Sequence, residues 1–232
     1  MISPGVAKII GYLPKGLVEY LSKRIVDRYL KQYADIEVRG MENLRDVNNP
    51  ILFICNHLSN SDGLVLNKVF KDKDITFVAG AKLSDNPLTS IGVNITKTIT
   101  IKPNSADKDA ISRIVKTLKN GNNVLIFPEG TRSRTGSLIK AKKGVVLIQK
   151  LTKASIIPLG IYGSEKLLPI NEKDMGQEKF QNAKVTINVG KQVILPEKDK
   201  EEDKREYEDR ATDFLMKRIA ELLPEEYRGV YK

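Results

Sequence analysis

The feature that most constrains the fold is a series of short apolar segments, bounded by turn residues, that starts around Ile36. Six of them are predicted strands, at residues 51–55, 75–79, 95–101, 124–127, 156–161 and 185–189. Helical patterns lie between several strands, at residues 106–119 and 140–153. A last helix is predicted near the end of the chain, with four inward-facing residues, Phe214, Leu215, Ile219 and Leu222. This alternation predicts a single α/β domain over residues 35–232, with a mostly parallel or mixed central sheet flanked by helices.

The length and composition fit one such domain. The chain has 232 residues, of which 41% are hydrophobic and 29% charged, so a core of this size needs neither disulfides nor a structural metal. Cys55 is the only cysteine and His57 the only histidine. An internal disulfide is therefore excluded, as is any zinc site that needs two imidazoles. We expect no metal and a reducing compartment.

Residues 1–34 form a separate predicted element, an amphipathic helical arm. Residues 5–33 read as helix, which Pro14 breaks into two. The apolar stripe has spacings of three and four and comprises Val6, Ile9, Ile10, Leu13, Leu17, Leu21, Ile25, Tyr29 and Tyr33. Six basic residues against two acidic ones accompany it. Two interpretations stand: a helix that lies in a membrane interface, or an ordinary helix packed on the core.

The net charge limits the partners that the chain can recognise. A formal charge of +10 favours nucleic acid, anionic lipid, phosphorylated metabolites or an acidic protein. With no tryptophan, 6% aromatic residues and no recognisable nucleic-acid motif, we expect no nucleic-acid partner. No segment approaches 18 consecutive apolar residues and no secretory signal is visible, so the expected location is the cytoplasm.

The only histidine follows a predicted buried strand, in the segment Asn56-His57-Leu-Ser-Asn-Ser-Asp62. The carboxyl end of a strand in an open α/β sheet is a usual ligand site. His57 and Asp62 would lie about 140° apart on a straight helix, but they can meet across a strand-to-helix turn. Asp62 could then hold one imidazole nitrogen and leave the other to take a proton from a hydroxyl. The alternative is a structural histidine that caps a turn.

A second cluster, Phe127-Pro-Glu-Gly-Thr-Arg-Ser133, follows another short strand. Pro128 is predicted to end that strand, and Gly130 permits a tight turn or the close approach of a ligand. Arg132 and Arg134 carry planar donor groups suited to phosphate or carboxylate. If the two strands are parallel, both loops open on one edge of the sheet, and a general base lies beside an anion site. The alternative for the arginines is a solvated loop.

A third segment, Ile156-Ile-Pro-Leu-Gly-Ile-Tyr-Gly163, combines a strand pattern with residues unusual in strands. Pro158 indicates an edge strand or a bulge, and Gly160 indicates a close backbone approach.

Taken together, these segments resemble the motifs of the glycerolipid acyltransferases, which include the 1-acylglycerol-3-phosphate acyltransferases. Asn56-His57, four residues and Asp62 resemble the first motif, NHxxxxD, and residues 127–133 match the third, FPEGTRS, at every position. Residues 157–161 resemble the fourth. The resemblance covers about residues 36–192.

Two positions depart from the family pattern. The second motif normally carries an arginine after a short apolar strand, whereas Ile99-Thr-Ile-Lys102 ends in lysine, which offers a point charge in place of a bidentate group. The basic segment Ala141-Lys-Lys-Gly144 is similar to the one that follows the third motif, although the family usually has an aromatic residue where Ala141 stands.

The resemblance implies a glycerol-3-phosphate acyltransferase-like fold and a definite reaction. An acyl chain moves from a thioester, acyl-CoA or acyl carrier protein, to the hydroxyl of 1-acylglycerol 3-phosphate (lysophosphatidate), giving phosphatidic acid in phospholipid biosynthesis. His57 is implied as the general base and Asp62 as its partner, without an acyl-enzyme intermediate, a metal or a cofactor. The positions implied for acceptor and phosphate binding are Glu129, Gly130, Thr131, Arg132 and Lys102.

The resemblance also bears on location and leaves alternatives. Because acceptor and product are lipids, we expect the arm to bind an anionic membrane surface, with the protein peripheral on the cytoplasmic face of the cell membrane. An acyltransferase for another lysophospholipid or for glycerol 3-phosphate is an alternative. A non-catalytic lipid-binding protein on the same fold is another.

Overall fold

The computed structural model of the chain describes residues 14–80, 95–102, 107–171 and 178–232. Within them, the strands are β1 (Ala34–Arg39), β2 (Ile51–Cys55), β3 (Ile75–Gly80), β4 (Lys97–Ile101), β5 (Asn123–Ile126), β6 (Ser155–Tyr162) and β7 (Ala183–Val189). The α-helices are α1 (Lys15–Tyr33), α2 (Asp62–Val69), α3 (Lys108–Lys119), α4 (Gly144–Thr152), α5 (Ser164–Leu167) and α6 (Lys204–Ala220).

All these strands belong to one mixed sheet, in the order β1-β7-β6-β2-β5-β3-β4. Strands β6, β2, β5, β3 and β4 are mutually parallel, β7 is antiparallel to β6, and β1 is parallel to β7. The carboxyl ends of the five parallel strands therefore meet at one edge of the sheet. The prediction of an α/β domain with a mixed sheet flanked by helices is confirmed.

Strand β2 lies at the centre because every one of its side chains is apolar and fully buried. Successive side chains of a strand point to opposite faces, so Leu52 and Ile54 join the core under α3, α4 and α6. Ile51, Phe53 and Cys55 join the core under α1, α2 and α5. Helices thus cover both faces of the sheet, and its carboxyl edge is left for loops.

The structure corrects some of the predicted boundaries. The helix predicted over 140–153 begins only at Gly144, because the Lys142 N–H donates to the Pro128 carbonyl and the Ile139 N–H to Glu129. The helix predicted over 106–119 is observed from Lys108; residue 106 lies outside the described residues. Strand β1, at the edge of the sheet, was not predicted; its apolar residues Ala34, Ile36 and Val38 are half-buried and alternate with charged ones.

Pro158 was predicted to mark an edge strand or a bulge. Strand β6 is an interior strand, and the structure has the bulge. Pairing with β7 ends at Leu159–Val189 and resumes at an isolated Ile156–Val193 bridge. Between these two pairs, the chain after β7 therefore has one residue more than β6. The extra residue lies near Pro158, which has no N–H to donate to a neighbouring strand. The close approach predicted at Gly160 is also observed, since a Cβ there would lie 2.8 Å from the Leu222 Cβ.

Helix α1 begins directly after Pro14. The buried face of α1 comprises Val18, Ser22, Val26 and Leu30. Each of these residues directly follows a residue of the predicted stripe. The stripe residues from Leu21 to Tyr33 are half-buried. Val26 and Leu30 belong to the core. The predicted first helix, with Val6, Ile9, Ile10 and Leu13, lies outside the described residues. None of the helices among the described residues has the length and hydrophobicity that a membrane span requires.

Candidate active site

The loop between β2 and α2 carries His57 to the carboxyl edge of the sheet. The buried side chain of Asn56 fixes the start of this loop, because its Nδ2 donates to the Ile161 carbonyl at 2.7 Å and its Oδ1 accepts the Ile161 N–H at 2.8 Å. The loop ends where Asp62 begins α2. A strand end and a helix start, joined by six residues, set the geometry of the histidine and the carboxylate.

The turn brings His57 and Asp62 into direct contact. The Nδ1 of His57 lies 2.8 Å from Oδ2 of the fully buried Asp62. The same oxygen accepts the Leu58 and Ser59 N–H groups at 2.7 and 2.9 Å, which fixes the carboxylate in place. With the proton of a neutral imidazole on Nδ1, the Nε2 atom is the acceptor and can take a proton from another group.

Phe127 covers one face of the imidazole. The two ring centroids are 4.1 Å apart and the planes are inclined by 17°. Phe127 follows β5, the parallel neighbour of β2, so the loops after these two strands meet at the histidine as the sequence predicted. Stacking on one face and the Asp62 bond at one edge leave the ring a single orientation.

Glu129 faces inwards and is 2% exposed. Its Oε1 accepts the His57 N–H at 2.7 Å, and its Oε2 accepts the Ile139 N–H at 3.0 Å. Burial raises the pKa of Glu129 to about 7, against the opposite effect of these two hydrogen bonds. The family resemblance implied acceptor binding for Glu129; in the structure both of its oxygens accept hydrogen bonds from backbone N–H groups of the protein.

Gly130 and Thr131 form the exposed tip of the same loop. Gly130 has φ +68°, a backbone conformation that favours glycine, and the end of the Lys142 side chain lies against it, with Cε 2.9 Å from where a Cβ would stand. The Lys142 N–H donates to Pro128 at 2.9 Å. The basic segment after α3 and β5 is thereby folded against the tip.

Arg132 extends from this loop towards a carboxylate that the sequence reasoning missed. Its Nη1 lies 2.8 Å from Oε1 of Glu178, and the two side chains are 17% and 3% exposed. Glu178 lies 46 residues along the chain, outside every motif. Only the pairing of a semi-exposed arginine with some acid could have been anticipated, and nothing in the sequence marks which acid.

Lys102 stands apart from the other predicted site residues. It follows β4 at the same edge of the sheet, is exposed, and its N–H donates to Asp107 Oδ2 at 2.9 Å. Strand β4 is three positions from β2, a separation of roughly 14 Å at the usual strand spacing. The structure therefore brings together His57, Asp62, the Phe127–Ser133 loop and Arg132, with Lys102 at a distance.

Two further observations concern the chemistry of the site. Cys55 is part of the core, and burial raises the pKa of its thiol, which makes it a poor nucleophile. Among residues 14–80, 95–102, 107–171 and 178–232, no group of three or more His, Cys, Asp and Glu side chains is placed to hold a metal ion.

A histidine held by a carboxylate, with an arginine on the adjoining loop, defines an α/β protein equipped to activate a hydroxyl beside an anionic group. The family model described as Acyltransferase matches residues 35–162. This is more than half of the chain, and the chain belongs to the Acyltransferase family. The matched segment contains the whole His57–Asp62 turn and the loop of Arg132.

Relatives and a solved structure agree with this membership. A chloroplastic 1-acyl-sn-glycerol-3-phosphate acyltransferase of Arabidopsis thaliana is 29% identical over 159 residues, which are 67% of this chain and 43% of the relative. A 1-acyl-sn-glycerol-3-phosphate acyltransferase of Borreliella burgdorferi is 30% identical over 133 residues, 56% of this chain and 52% of the relative. The chain thus spans about half the length of the curated relatives it matches.

The crystal structure of the 1-acyl-sn-glycerophosphate (LPA) acyltransferase PlsC from Thermotoga maritima has the same fold. The TM-score is 0.62 over 94% of this chain and 87% of that one, at 22% identity.

Proposed function

We propose that this chain is a 1-acylglycerol-3-phosphate acyltransferase. It transfers an acyl chain from a thioester donor, acyl-CoA or acyl carrier protein, to the free hydroxyl of lysophosphatidate and gives phosphatidic acid. The observation that carries the proposal is the 2.8 Å contact between His57 Nδ1 and Asp62 Oδ2. Family membership and the names of the relatives support the choice of reaction.

The reaction needs one proton acceptor at the attacking hydroxyl. As the hydroxyl oxygen attacks the carbonyl carbon of the thioester, Nε2 of His57 takes its proton. Asp62 stabilises the imidazolium that forms, since its buried carboxylate stays within hydrogen-bond distance of Nδ1. The carbon–sulfur bond then breaks, and the leaving thiolate recovers the proton from His57. The thioester is already activated, so these residues require no metal or cofactor to assist them.

Arg132 is the proposed ligand of the acceptor phosphate. Its side chain is partly exposed, and its guanidinium bonds to Glu178 through Nη1 alone among the described residues. Four further N–H donors of the guanidinium are available to phosphate oxygens. The exposed backbone of Gly130 and Thr131 lies beside it, and Lys102 contributes positive charge from further along the edge.

The outer face of α1 supports a peripheral position on an anionic membrane. At 100° per residue, Leu17, Tyr20, Arg24, Arg28 and Lys31 fall within about 80° of one another. All five are exposed and lie opposite the buried face. Apolar burial together with attraction to anionic lipid is the mode by which such helices bind an interface. The basic face suits the anionic cytoplasmic leaflet of the cell membrane.

The test is an acceptor panel with the full chain. Lysophosphatidate, other lysophospholipids and glycerol 3-phosphate are each supplied with acyl-CoA and, separately, with acyl carrier protein that carries an acyl chain as a thioester. Thiol release is followed, and extracted lipids are identified by mass. We expect phosphatidic acid from lysophosphatidate, and none with His57→Ala. Thiol release with a different acceptor would reassign the substrate. Binding of lysophosphatidate without thiol release from either donor would support the non-catalytic alternative.

A further inference from the structure

We infer that Glu178 is a positioning residue for the acceptor phosphate: it holds the Arg132 guanidinium in register with the His57 loop. The inference rests on the proposed function, in which Arg132 binds that phosphate. Glu178 lies beyond residues 35–162, the segment that the family model matches. It is therefore a part of the site that the motifs of this chain do not include.

The contacts of Glu178 connect two loops of the site. Its Oε1 accepts from Arg132 Nη1 at 2.8 Å, and its Oε2 accepts from Asn60 Nδ2 at 2.7 Å. Asn60 belongs to the β2–α2 loop between His57 and Asp62, and Arg132 to the loop after β5. The Asn171 N–H adds a longer contact, at 3.4 Å, to Oε1. One carboxylate thus fixes the arginine relative to the loop that carries the general base.

Glu178 itself is held firmly enough to do this. Its side chain is 3% exposed, and both carboxylate oxygens have partners. Two residues further on, the Phe180 ring packs against Tyr29 and Tyr33 of α1, with centroid distances of 5.3 and 6.2 Å. The Gln181 N–H then donates to the Leu167 carbonyl at 2.9 Å. Packing and backbone bonding therefore fix the segment on which Glu178 stands.

Arg132 needs such a partner because its backbone is fixed but its side chain is not. Thr131 before it is exposed, whereas Ser133 after it is buried and its N–H donates to the His57 carbonyl at 2.7 Å. A long guanidinium side chain still loses much rotamer freedom when it binds a ligand. A buried carboxylate removes that freedom before the acceptor arrives. Since Arg132 contacts Glu178 through Nη1 alone, the other guanidinium N–H groups remain available to the phosphate. The second carboxylate oxygen of Glu178 accepts from Asn60.

The experiment compares Glu178→Gln and Glu178→Ala in the full chain. For Glu178→Ala, the acceptor KM for lysophosphatidate should rise roughly 10–100-fold, as expected for loss of a hydrogen bond between charged groups. For Glu178→Gln, which keeps the shape and one acceptor oxygen, we expect roughly a 3–10-fold rise. In both, kcat at saturating acceptor should change much less, because His57 and Asp62 are untouched. Glu202→Ala is the matched control and should leave KM unchanged, because it breaks an ion pair between Glu202, just before α6, and Arg210 of α6.

A merely structural role for Glu178 predicts a different pattern. In that case the Glu178 substitutions would lower the melting temperature and kcat together. They would also reduce activity on monoacylglycerol, which has no phosphate, as much as activity on lysophosphatidate. A positioning role lowers the preference for lysophosphatidate over monoacylglycerol. It also predicts that the double variant Arg132→Lys/Glu178→Gln loses no more than the worse of the two single variants. If Glu178→Ala does not fold, the nearly isosteric Glu178→Gln carries the test.

Calorimetric binding of glycerol 3-phosphate and lysophosphatidate, without donor, separates this inference from the proposed function. Weaker binding in the Glu178 variants supports the inference even if the wild-type chain transfers no acyl group. Folded Glu178 variants with unchanged KM and Kd overturn the inference and leave the proposed function intact. A lower KM or Kd in Glu178→Gln also overturns it, because Glu178 would then act as a competitor of the phosphate.

Discussion

The backbone of His57 is bonded on both sides to the loop that follows the neighbouring strand: its N–H donates to Glu129 Oε1 at 2.7 Å, and its carbonyl accepts the Ser133 N–H at 2.7 Å. The Phe127 ring adds the stacking contact between the same two loops. The His57 turn and the Arg132 loop therefore form one rigid unit. A change in the ionisation of Glu129 acts directly on the backbone that carries the histidine.

The first prediction concerns Glu129 and pH. Its native pKa of about 7 lies above the ordinary 4.5, so between these values the native state binds more protons than the unfolded state. Raising the pH through this window must then lower stability. Measured against Glu129→Gln, the wild-type free energy of unfolding should fall by about 3 kcal/mol from pH 4.5 to pH 7. Denaturant unfolding at a series of pH values measures it.

Subtracting the Glu129→Gln unfolding free energies from those of the wild type removes the contributions of the groups that titrate in both proteins. Well below pH 4.5 and well above pH 7 the difference between the two curves should be constant, because Glu129 then has the same ionisation in the native and unfolded states. Glu201→Gln, which removes an exposed carboxylate, should give a curve parallel to that of the wild type. Parallel curves for the wild type and Glu129→Gln would show that burial does not raise the Glu129 pKa.

The second prediction concerns the general base and its partner. His57→Ala should lower kcat roughly 10²–10⁴-fold while the protein still folds, because the side chain lies at the exposed edge of the sheet. Asp62→Asn should lower kcat as well, since a neutral amide stabilises the imidazolium poorly. Thiol-release kinetics and circular dichroism measure the two effects.

The control for Asp62→Asn is the same substitution at Asp27, an exposed carboxylate of α1 that lies 3.4 Å from Lys68 of α2. Asp27→Asn should leave kcat within a factor of two or so, because surface ion pairs contribute little. A folded His57→Ala protein with near-normal turnover would end the mechanism proposed here.

The third prediction concerns Arg132. Arg132→Lys keeps the charge but loses the planar donor group, so the acceptor KM should rise roughly tenfold with a smaller change in kcat. The matched substitution Arg39→Lys, in an exposed pair with Glu37 on β1, should leave KM unaltered. An unchanged KM in Arg132→Lys would move the phosphate site to another cation, such as Lys102.

The parts of the fold that could be predicted are those that the sequence encodes locally. Five consecutive buried apolar residues mark β2, and its predicted bounds, 51–55, are the observed ones. The meeting of His57 and Asp62 follows from a strand end and a five-residue spacing across the strand-to-helix turn. Both signals lie within a dozen residues of sequence, so neither needs knowledge of the tertiary fold.

The parts that could not be predicted depend on long-range contacts. Glu178 reaches Arg132 across 46 residues, and no local pattern pairs them. The start of α4 is displaced because backbone N–H groups before it bond to Pro128 and Glu129 instead of to helix carbonyls. Helix α1 buries the row beginning at Val18, beside the predicted one, because the sheet face it meets decides which row turns inwards.

The last prediction concerns α1, whose two faces must be tested separately. Deleting residues 1–33 should unfold the protein, because Val26 and Leu30 belong to the core. An unfolded truncation does not test whether α1 binds a membrane. Leu17 and Tyr20, at 44% and 56% exposure, lie on the outer face. Leu17→Ser/Tyr20→Ser should therefore leave the melting temperature nearly unchanged and reduce co-sedimentation with anionic vesicles. Activity on long-chain lysophosphatidate should fall more than activity on a short-chain, water-soluble acceptor.

Salt and a matched control separate the electrostatic and the apolar contributions to vesicle binding. Wild-type binding to vesicles should weaken at high salt, because screening acts on Arg24, Arg28 and Lys31 but not on apolar burial. The residual binding at high salt should be the part that Leu17→Ser/Tyr20→Ser removes. Ile194→Ser deletes a more exposed apolar side chain away from α1 and should bind vesicles as the wild type does. If the α1 variant also binds as the wild type does, at low and at high salt, the outer face of α1 is not the membrane contact.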